Sequence, residues 1–168
     1  MSLTILTYPD PRLKRVCQPV EAITPELRQL AADMADAMYR ADGIGLAAPQ
    51  IGEAIRLIVV DVTGPEQRAG LMTLVNPRLT PVPGEGSVQS EEGCLSVPDY
   101  RSKVKRHAKV RLEALDLDGN PVDRECDGLL AICLQHEVDH LDGTLFIDHI
   151  SHLKRSLFED KLRKRMGK

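Results

Sequence analysis

The chain has 168 residues, 42% hydrophobic and 28% charged, a balance typical of a globular protein and unlike that of a disordered, collagen-like or coiled-coil chain. Aromatic residues make up only 3%, so we expect an aliphatic core in a single domain over residues 1–168. The net charge is −3, and no apolar stretch reaches the roughly 18 residues that span a bilayer. The first residues, Met1-Ser2-Leu3-Thr4-Ile5-Leu6, contain no basic segment. We therefore expect a cytoplasmic protein that binds neither a membrane nor DNA.

Signals in the first half of the chain predict one helix followed by two strands. Thr24-Pro25-Glu26 starts the helix, because these residues suit an N-cap, a first turn and the positive end of the helix dipole. Apolar residues then recur at helical spacing until Asp42-Gly43 ends the helix. Two apolar runs bounded by Gly and Pro, at 57–60 and 71–75, are typical of buried strands.

The second half predicts a hairpin and two helices. Residues 109–117 alternate in hydrophobicity up to the turn Asp118-Gly119-Asn120-Pro121, which indicates a β-hairpin. Asp127 is placed to cap a second helix that runs to residue 142, and a third helix is expected over about 151–166. Without regular β-α alternation, these elements indicate an α+β fold, with short antiparallel strands and hairpins around the second helix and a C-terminal helix at the end.

Positive charge is concentrated in the third predicted helix. Residues 151–168 hold seven Lys or Arg and two acidic residues, a net of +5 that leaves −8 over residues 1–150. A basic helix on an acidic body favours a phosphate-rich partner. A solvated terminal helix is the alternative interpretation.

The second predicted helix contains His136-Glu137-Val138-Asp139-His140. At about 100° per residue, His136 and His140 share one face, so that both imidazoles can reach one ion. In this H-E-x-x-H pattern two His bind a divalent metal and Glu137 acts as general base. The alternative, a solvent-facing charged turn, is disfavoured because residues 129–134 are nearly all apolar and a buried His pair without a partner is costly.

The third protein ligand of such a metal site has two candidates. Phe146 stands where a longer protease form of the pattern has a third His. Glu159, 19 residues after His140, would complete an ordinary endopeptidase site. Cys94, within Glu92-Gly93-Cys94-Leu95-Ser96, is the other choice, and spacing alone does not decide between them.

Gly43-Ile44-Gly45-Leu46-Ala47-Ala48-Pro49-Gln50 places two glycines in an apolar run. It fits the loose dinucleotide pattern G-x-G-x-x-A, but that pattern needs a preceding strand, and here a helix precedes it. Two interpretations remain open. The segment is a helix end followed by a bulged strand, or it is bare backbone along which a peptide adds as an extra strand.

Three segments, at 43–50, 92–96 and 135–140, resemble the three motifs of the peptide deformylases in their residues, order and separation. The similarity runs from about Leu6 to Lys154. The resemblance implies a metal-dependent hydrolase that removes the formyl group from the N-terminal formylmethionine of newly made bacterial polypeptides and releases formate. It implies that Cys94, His136 and His140 bind the ion, with Fe(II) as the usual metal and Zn(II), Ni(II) or Co(II) as substitutes.

The same resemblance assigns the other roles. It implies that Glu137 transfers the proton and that the Gln50 side-chain amide and the Leu95 backbone N–H stabilise the oxyanion. Substrate contacts are implied for Gly43, Ile44, Gly45, Glu92, Arg101, Leu129, Ile132 and Cys133. Packing in the core is the alternative role for Leu129 and Ile132.

Two further expectations depend on the resemblance. Ser90 stands where the family more often has an aliphatic residue in its methionine pocket, so weaker binding of methionine or of pocket-directed hydroxamates is expected. The basic C-terminal helix is implied to dock on the ribosome near the peptide exit. A ribosome-associated protein without turnover is a third hypothesis, and the intact Gln50, Cys94 and Glu137 argue against it.

Overall fold

The structure, a computed structural model, describes residues 2–167. Met1 of the N-terminal segment and Lys168 of the basic tail lie outside the described residues. The helices are α1 (Pro25–Arg40), α2 (Gly64–Gln67), α3 (Gly128–Leu141) and α4 (His152–Met166), with short 3-10 helices at Pro11–Lys14, Ala48–Ile51 and Phe146–Asp148. The strands are β1 (Gly45–Ala47), β2 (Leu57–Val60), β3 (Met72–Pro81), β4 (Ser87–Cys94), β5 (Val97–His107), β6 (Lys109–Leu115) and β7 (Pro121–Asp127).

The strands form two antiparallel units, which confirms the predicted α+β class. Five of them make a sheet in the order β1-β2-β3-β6-β7, and β4 pairs with β5 as a separate hairpin. The predicted hairpin around 118–121 is the β6–β7 pair. The strand predicted at 71–75 is longer than expected, because a register shift between Val75 and Arg78 lets β3 continue past Pro77.

The three predicted helices start at the expected residues, though not always for the predicted reason, and the short α2 was not predicted. Thr24 Oγ1 accepts a hydrogen bond from the backbone N–H of Leu27 at 3.1 Å, as an N-cap should. Ser151 caps α4 in the same way through Lys154. Asp127 holds the N-cap position of α3, but its side chain makes no capping bond, so that part of the prediction is wrong.

Helices cover both faces of the five-stranded sheet. Ile58 and Val60 of β2 pack toward α3, whereas the alternate residues Leu57 and Val59 pack toward α1. All four residues are fully buried, which explains why β2 is a continuous apolar run rather than an alternating one. α3 thus lies in the interior, between the sheet and the β4–β5 hairpin, as predicted for the helix that carries the two histidines.

The β4–β5 hairpin is an element that the sequence pattern did not predict. Cross-strand partners share a face, and the face turned toward α3 carries Ser90, Glu92, Ser102 and Arg106 beside the apolar Val104. Because polar residues occupy this buried face, the strands lack the apolar alternation by which a half-buried strand is recognised.

The C-terminal helix packs through the buried Phe158 and the partly buried Leu162. The Phe158 ring lies 4.6 Å from the ring of Tyr100 and 5.9 Å from that of Tyr8, centroid to centroid. Leu153 and Leu157, on the same helix, are exposed. None of the helices within residues 2–167 combines the length and apolar character needed to cross a bilayer.

Candidate metal centre and active site

A cleft of about 830 Å³ lies between β1, the β4–β5 hairpin and the first half of α3. With one exception, every site residue predicted from the sequence lines it: Gly43, Ile44, Gly45, Gln50, Glu92, Cys94, Leu95, Arg101, Leu129, Ile132, Cys133, His136 and Glu137. The exception, His140, is buried one helical turn beyond His136. Three segments distant in sequence therefore meet at one site.

Three potential metal ligands converge at the inner end of the cleft. One ligand atom each from Cys94, His136 and His140 lies within 4.8 Å of the others, and no other such trio occurs within residues 2–167. Cys94 Sγ is 3.4 Å from His140 Nε2. A thiolate with two imidazoles suits Zn(II) or Fe(II), and three protein ligands leave a position open for catalysis. Glu159, the competing candidate, instead accepts hydrogen bonds from Tyr8 and Arg155.

The ring of His136 is held through its second nitrogen. Nδ1 lies 2.9 Å from Glu92 Oε1, which leaves Nε2 on the side of the potential metal site. Burial lowers the pKa of His136, but hydrogen bonds to Cys94 and Glu92 outweigh it and raise this pKa well above its ordinary value. Glu92, which was expected to contact substrate, therefore also binds His136, one of the potential metal ligands.

Arg106 completes a chain of charged groups behind His136. Its Nε and Nη2 donate to the two oxygens of Glu92 at 2.7 and 2.8 Å, and its Nη1 donates to Asp139 Oδ2 at 2.7 Å. The same Asp139 oxygen lies 2.8 Å from His149 Nε2. Burial raises the pKa of Glu92, but hydrogen bonds from Arg106 and His136 outweigh it and lower this pKa to about 2. Glu92 is therefore an ionised support for His136.

Two polar atoms at the site are buried and have no hydrogen-bond partner among the described residues: Glu137 Oε2 and His140 Nδ1. Such atoms are rare in folded proteins and are typical of sites that bind a ligand, an ion or water. Burial raises the pKa of Glu137 to about 7, the range in which a carboxylate can take up and return a proton at neutral pH. Burial lowers the pKa of His140 well below its ordinary value, so this imidazole is uncharged at neutral pH.

The side-chain amide of Gln50 faces the same point. Its Oε1 accepts from the Ala47 backbone N–H at 2.8 Å, which fixes the amide plane. Its Nε2 donates to Ser96 Oγ at 3.0 Å and lies 3.7 Å from Cys94 Sγ. An N–H donor therefore stands beside the potential metal ligands.

The outer part of the cleft is largely apolar. Leu129 is 51% exposed and Ile132 is half-buried, so neither is a fully buried core residue. The Cys133 thiol donates to the Ile44 carbonyl at 3.7 Å, and burial raises its pKa well above the ordinary value, so it remains protonated. Arg101 lies beside Gly93 and donates to the Glu91 carbonyl at 3.3 Å.

Sequence reasoning missed Arg106 and gave no role to Ser96. The exposed His149 pairs with Asp139, which also accepts a hydrogen bond from Arg106. Finding Arg106 requires the register of the β4–β5 hairpin, in which Arg106 stands opposite Val88 and diagonal to Ser90. The sequence of the two strands contains no local pattern from which that register can be predicted.

Comparison with known proteins agrees with this geometry. A family model described as polypeptide deformylase matches residues 2–156. The peptide deformylase of Psychrobacter arcticus is 49% identical over 162 residues, which cover 96% of this chain and 86% of that protein. The one from Acinetobacter baumannii is 50% identical over 162 residues, with 96% and 90% covered.

Solved structures extend the agreement to the fold. The peptide deformylase of Legionella pneumophila superposes with a TM-score of 0.90 at 43% identity, covering 100% of this chain and 99% of that one. The peptide deformylase of Synechococcus elongatus in complex with actinonin gives 0.86 at 39% identity, with 95% and 85% covered. A family match over nearly the whole chain, relatives at half identity and a shared fold lead to one conclusion: this chain belongs to the peptide deformylase family.

Proposed function

We propose that Cys94, His136 and His140 hold the divalent ion with which this chain removes the N-formyl group from formylmethionine at the start of new polypeptides. The observation that carries the assignment is the convergence of these three ligand atoms within 4.8 Å, beside a buried carboxylate that has an unpaired oxygen. The family is metal-dependent, and we propose Fe(II) as the native ion, with Zn(II), Ni(II) or Co(II) as substitutes.

When bound, such an ion acts as a Lewis acid that activates water and polarises the formyl oxygen. Glu137 takes a proton from the attacking water and passes it to the leaving amine. Its environment suits both steps, because burial brings its pKa to about 7. Glu92 and Arg106 hold His136 in place during this cycle.

Attack on the formyl carbon creates an oxyanion, which we propose is stabilised by the Gln50 amide and the Leu95 backbone N–H. The Gln50 amide is fixed before substrate arrives, because its oxygen is bound to Ala47 and its nitrogen is directed toward Cys94. Donors held in advance stabilise developing charge without the cost of reorienting.

The strand β1 is suited to pair with the backbone of the substrate. This strand is at the end of the sheet and, within residues 2–167, pairs with β2 alone, so its other edge is free along the cleft. We propose that the peptide adds there as an extra strand along the backbone of Gly43 and Gly45, where a Cβ would collide with Leu95 and Glu137 respectively. The methionine side chain then enters the apolar region of Ile44, Leu129, Ile132 and Cys133.

The test is formate release from formyl-Met-Ala-Ser by protein purified without oxygen and supplied with Fe(II), because thiolate and ferrous iron both oxidise. We expect formate with the peptide bonds intact. Cleavage between residues without formate would support the endopeptidase alternative, and bound metal with no product would refute the proposal.

Two variants separate metal binding from proton transfer. Cys94→Ser should lose most of the metal measured by atomic absorption, whereas Cys126→Ser, at a buried cysteine outside the site, should keep it. Glu137→Gln should keep the metal and lose a factor of about 10²–10⁴ in kcat. Full metal content in Cys94→Ser, or normal turnover in Glu137→Gln, would contradict the assigned roles.

We further propose that α4 docks on ribosomal RNA, in the cytoplasm where formylated chains are made. Arg155 and Arg163 are engaged in ion pairs, but Lys154, Lys161 and Lys164 make none within residues 2–167. Cosedimentation with ribosomes should weaken steeply as salt rises. Lys161→Glu/Lys164→Glu should bind more weakly at low salt and show a shallower dependence on salt, while turnover of the free peptide stays unchanged. Binding that is absent or insensitive to salt would refute this.

A further inference from the structure

Ser90 is a polar residue in an otherwise apolar part of the cleft. It is half-buried in β4, between the exposed Gln89 and Glu91, and it lines the cleft. Its cross-strand partner Val104 is buried, and Glu92, two residues along the strand, bonds to His136. Ser90 therefore belongs to the strand face that is turned toward α3.

Two contacts place Ser90 along α3. Glu92 meets His136 at one end of the hairpin. Toward the other end, the Gln135 amide joins the backbone of His107 to the Ala131 carbonyl. Ser90 lies between these points on the strand, beside the turn of α3 that carries Ile132 and Cys133.

The Ser90 hydroxyl has no hydrogen-bond partner within residues 2–167, and it is not sealed from the cleft. The same cleft is lined by the apolar side chains of Ile44, Leu129 and Ile132. The Cys133 thiol is already bound to the Ile44 carbonyl. The wall thus combines an apolar surface with one free hydroxyl and the space that a small side chain leaves.

We propose that Ser90 is a specificity-determining residue whose hydroxyl donates a hydrogen bond to an acceptor at the end of the substrate's first side chain. The substrate class that fits is a formyl peptide beginning with methionine sulfoxide, which keeps the length of methionine and adds one polar oxygen. The Ser90 O–H donates to that oxygen, and the apolar wall holds the methylene groups. This inference rests on the proposed deformylase function and extends its substrate range.

The test compares two matched pairs at position 90. Ser90 and Ser90→Ala differ in the hydroxyl, as do Ser90→Thr and Ser90→Val, which share one shape. For each protein, kcat/KM is measured for formyl-Met-Ala-Ser and for the two separated sulfoxide epimers of the same peptide. One hydrogen bond between neutral groups corresponds to about a 3- to 10-fold effect. We therefore expect the preference for methionine over the better sulfoxide epimer to rise about 3- to 10-fold in the Ala and Val variants and to stay near the wild-type value in Thr.

Formyl-norleucine-Ala-Ser serves as the apolar control substrate. Its rate relative to the methionine peptide should not depend on the hydroxyl. The inference is overturned if all four proteins show the same methionine-to-sulfoxide ratio, or if the norleucine ratio changes as much as the sulfoxide ratio, because shape would then be the cause.

Binding provides a readout that does not need turnover. In a Glu137→Gln background, calorimetry gives the Kd of the methionine and sulfoxide peptides with Ser90 and with Ser90→Ala. The Kd ratio should shift in the same direction as the kinetic ratio. Lack of formate release by the wild type would refute the proposed function, whereas equal Kd ratios, or no binding of either peptide, would refute the role of Ser90.

Discussion

A single methyl group added at Gly45 tests whether Glu137 must stand where the structure places it. A Cβ at residue 45 would lie 2.6 Å from Glu137 Oε1 and 2.9 Å from its Cγ and Cδ. Ordinary contact begins at 3.4 Å, so Gly45→Ala must move the carboxylate by about 0.8 Å. Glu137 is only 4% exposed, so the residues packed around it restrict the directions in which its carboxylate can move.

Displacement of the Glu137 carboxylate should slow catalysis. A misplacement of about 1 Å in a reacting group can cost about 10²-fold in rate, so we expect kcat for formate release to fall about 10- to 100-fold in Gly45→Ala. The metal content should not change, because the three atoms nearest to the new methyl group all belong to Glu137 and not to a proposed metal ligand. Overpacking should also lower the free energy of unfolding by about 1–3 kcal/mol.

A double-mutant cycle distinguishes this contact from general damage. Glu137→Asp shortens the side chain by one methylene and draws the carboxylate back from the position that the added methyl group would strike. Gly45→Ala should therefore reduce kcat by a smaller factor in the Glu137→Asp background than in the wild type. An equal loss in both backgrounds, or full activity in Gly45→Ala, would refute the reasoning.

Two predictions concern buried charges. Arg106→Met leaves the Glu92 carboxylate buried without its guanidinium, and the free energy of unfolding in urea should fall by about 3–5 kcal/mol; an unchanged value would contradict the role given to the pair. Burial raises the pKa of Asp61, but hydrogen bonds from Thr63 and Tyr39 outweigh it and lower this pKa below its ordinary value. The stability that the ionised Asp61 provides is therefore complete above about pH 4 and is lost as the pH falls through the folded-state pKa. Tyr39→Phe should destabilise the protein by about 1.5–3 kcal/mol near pH 7 and lose less stability than the wild type between pH 5 and pH 3. Parallel pH profiles for the two proteins would contradict this.

The parts of the fold that were predictable from sequence are those with a local cause. Leu57–Val60 is recognisable as a strand because both of its faces are buried, and α1 because Thr24 caps it. The β4–β5 hairpin was not predictable, since the face that it buries carries an ion pair and serines in place of an apolar stripe. Hydrophobic periodicity identifies strands that bury apolar side chains, but it does not identify strands that bury paired charges.

The same distinction applies to the site. His136, Glu137 and His140 lie within one helical turn, so their geometry follows from the rise and rotation of a helix. Cys94 reaches them only through tertiary contact, and spacing could not choose it over Glu159. Resemblance to a family made that choice, and the structure shows Glu159 engaged with Tyr8 and Arg155.

The links between the β4–β5 hairpin and α3 have a consequence for the exchange of the metal. Arg106 joins Glu92 on the hairpin to Asp139 on the helix, and Gln135 bonds to both backbone groups of His107. None of these bonds requires an ion, so they hold the hairpin that carries Cys94 against the helix that carries the two histidines whether or not a metal is bound. Chelation should therefore empty the site without unfolding the chain, and different divalent metals should be able to replace one another in the folded protein.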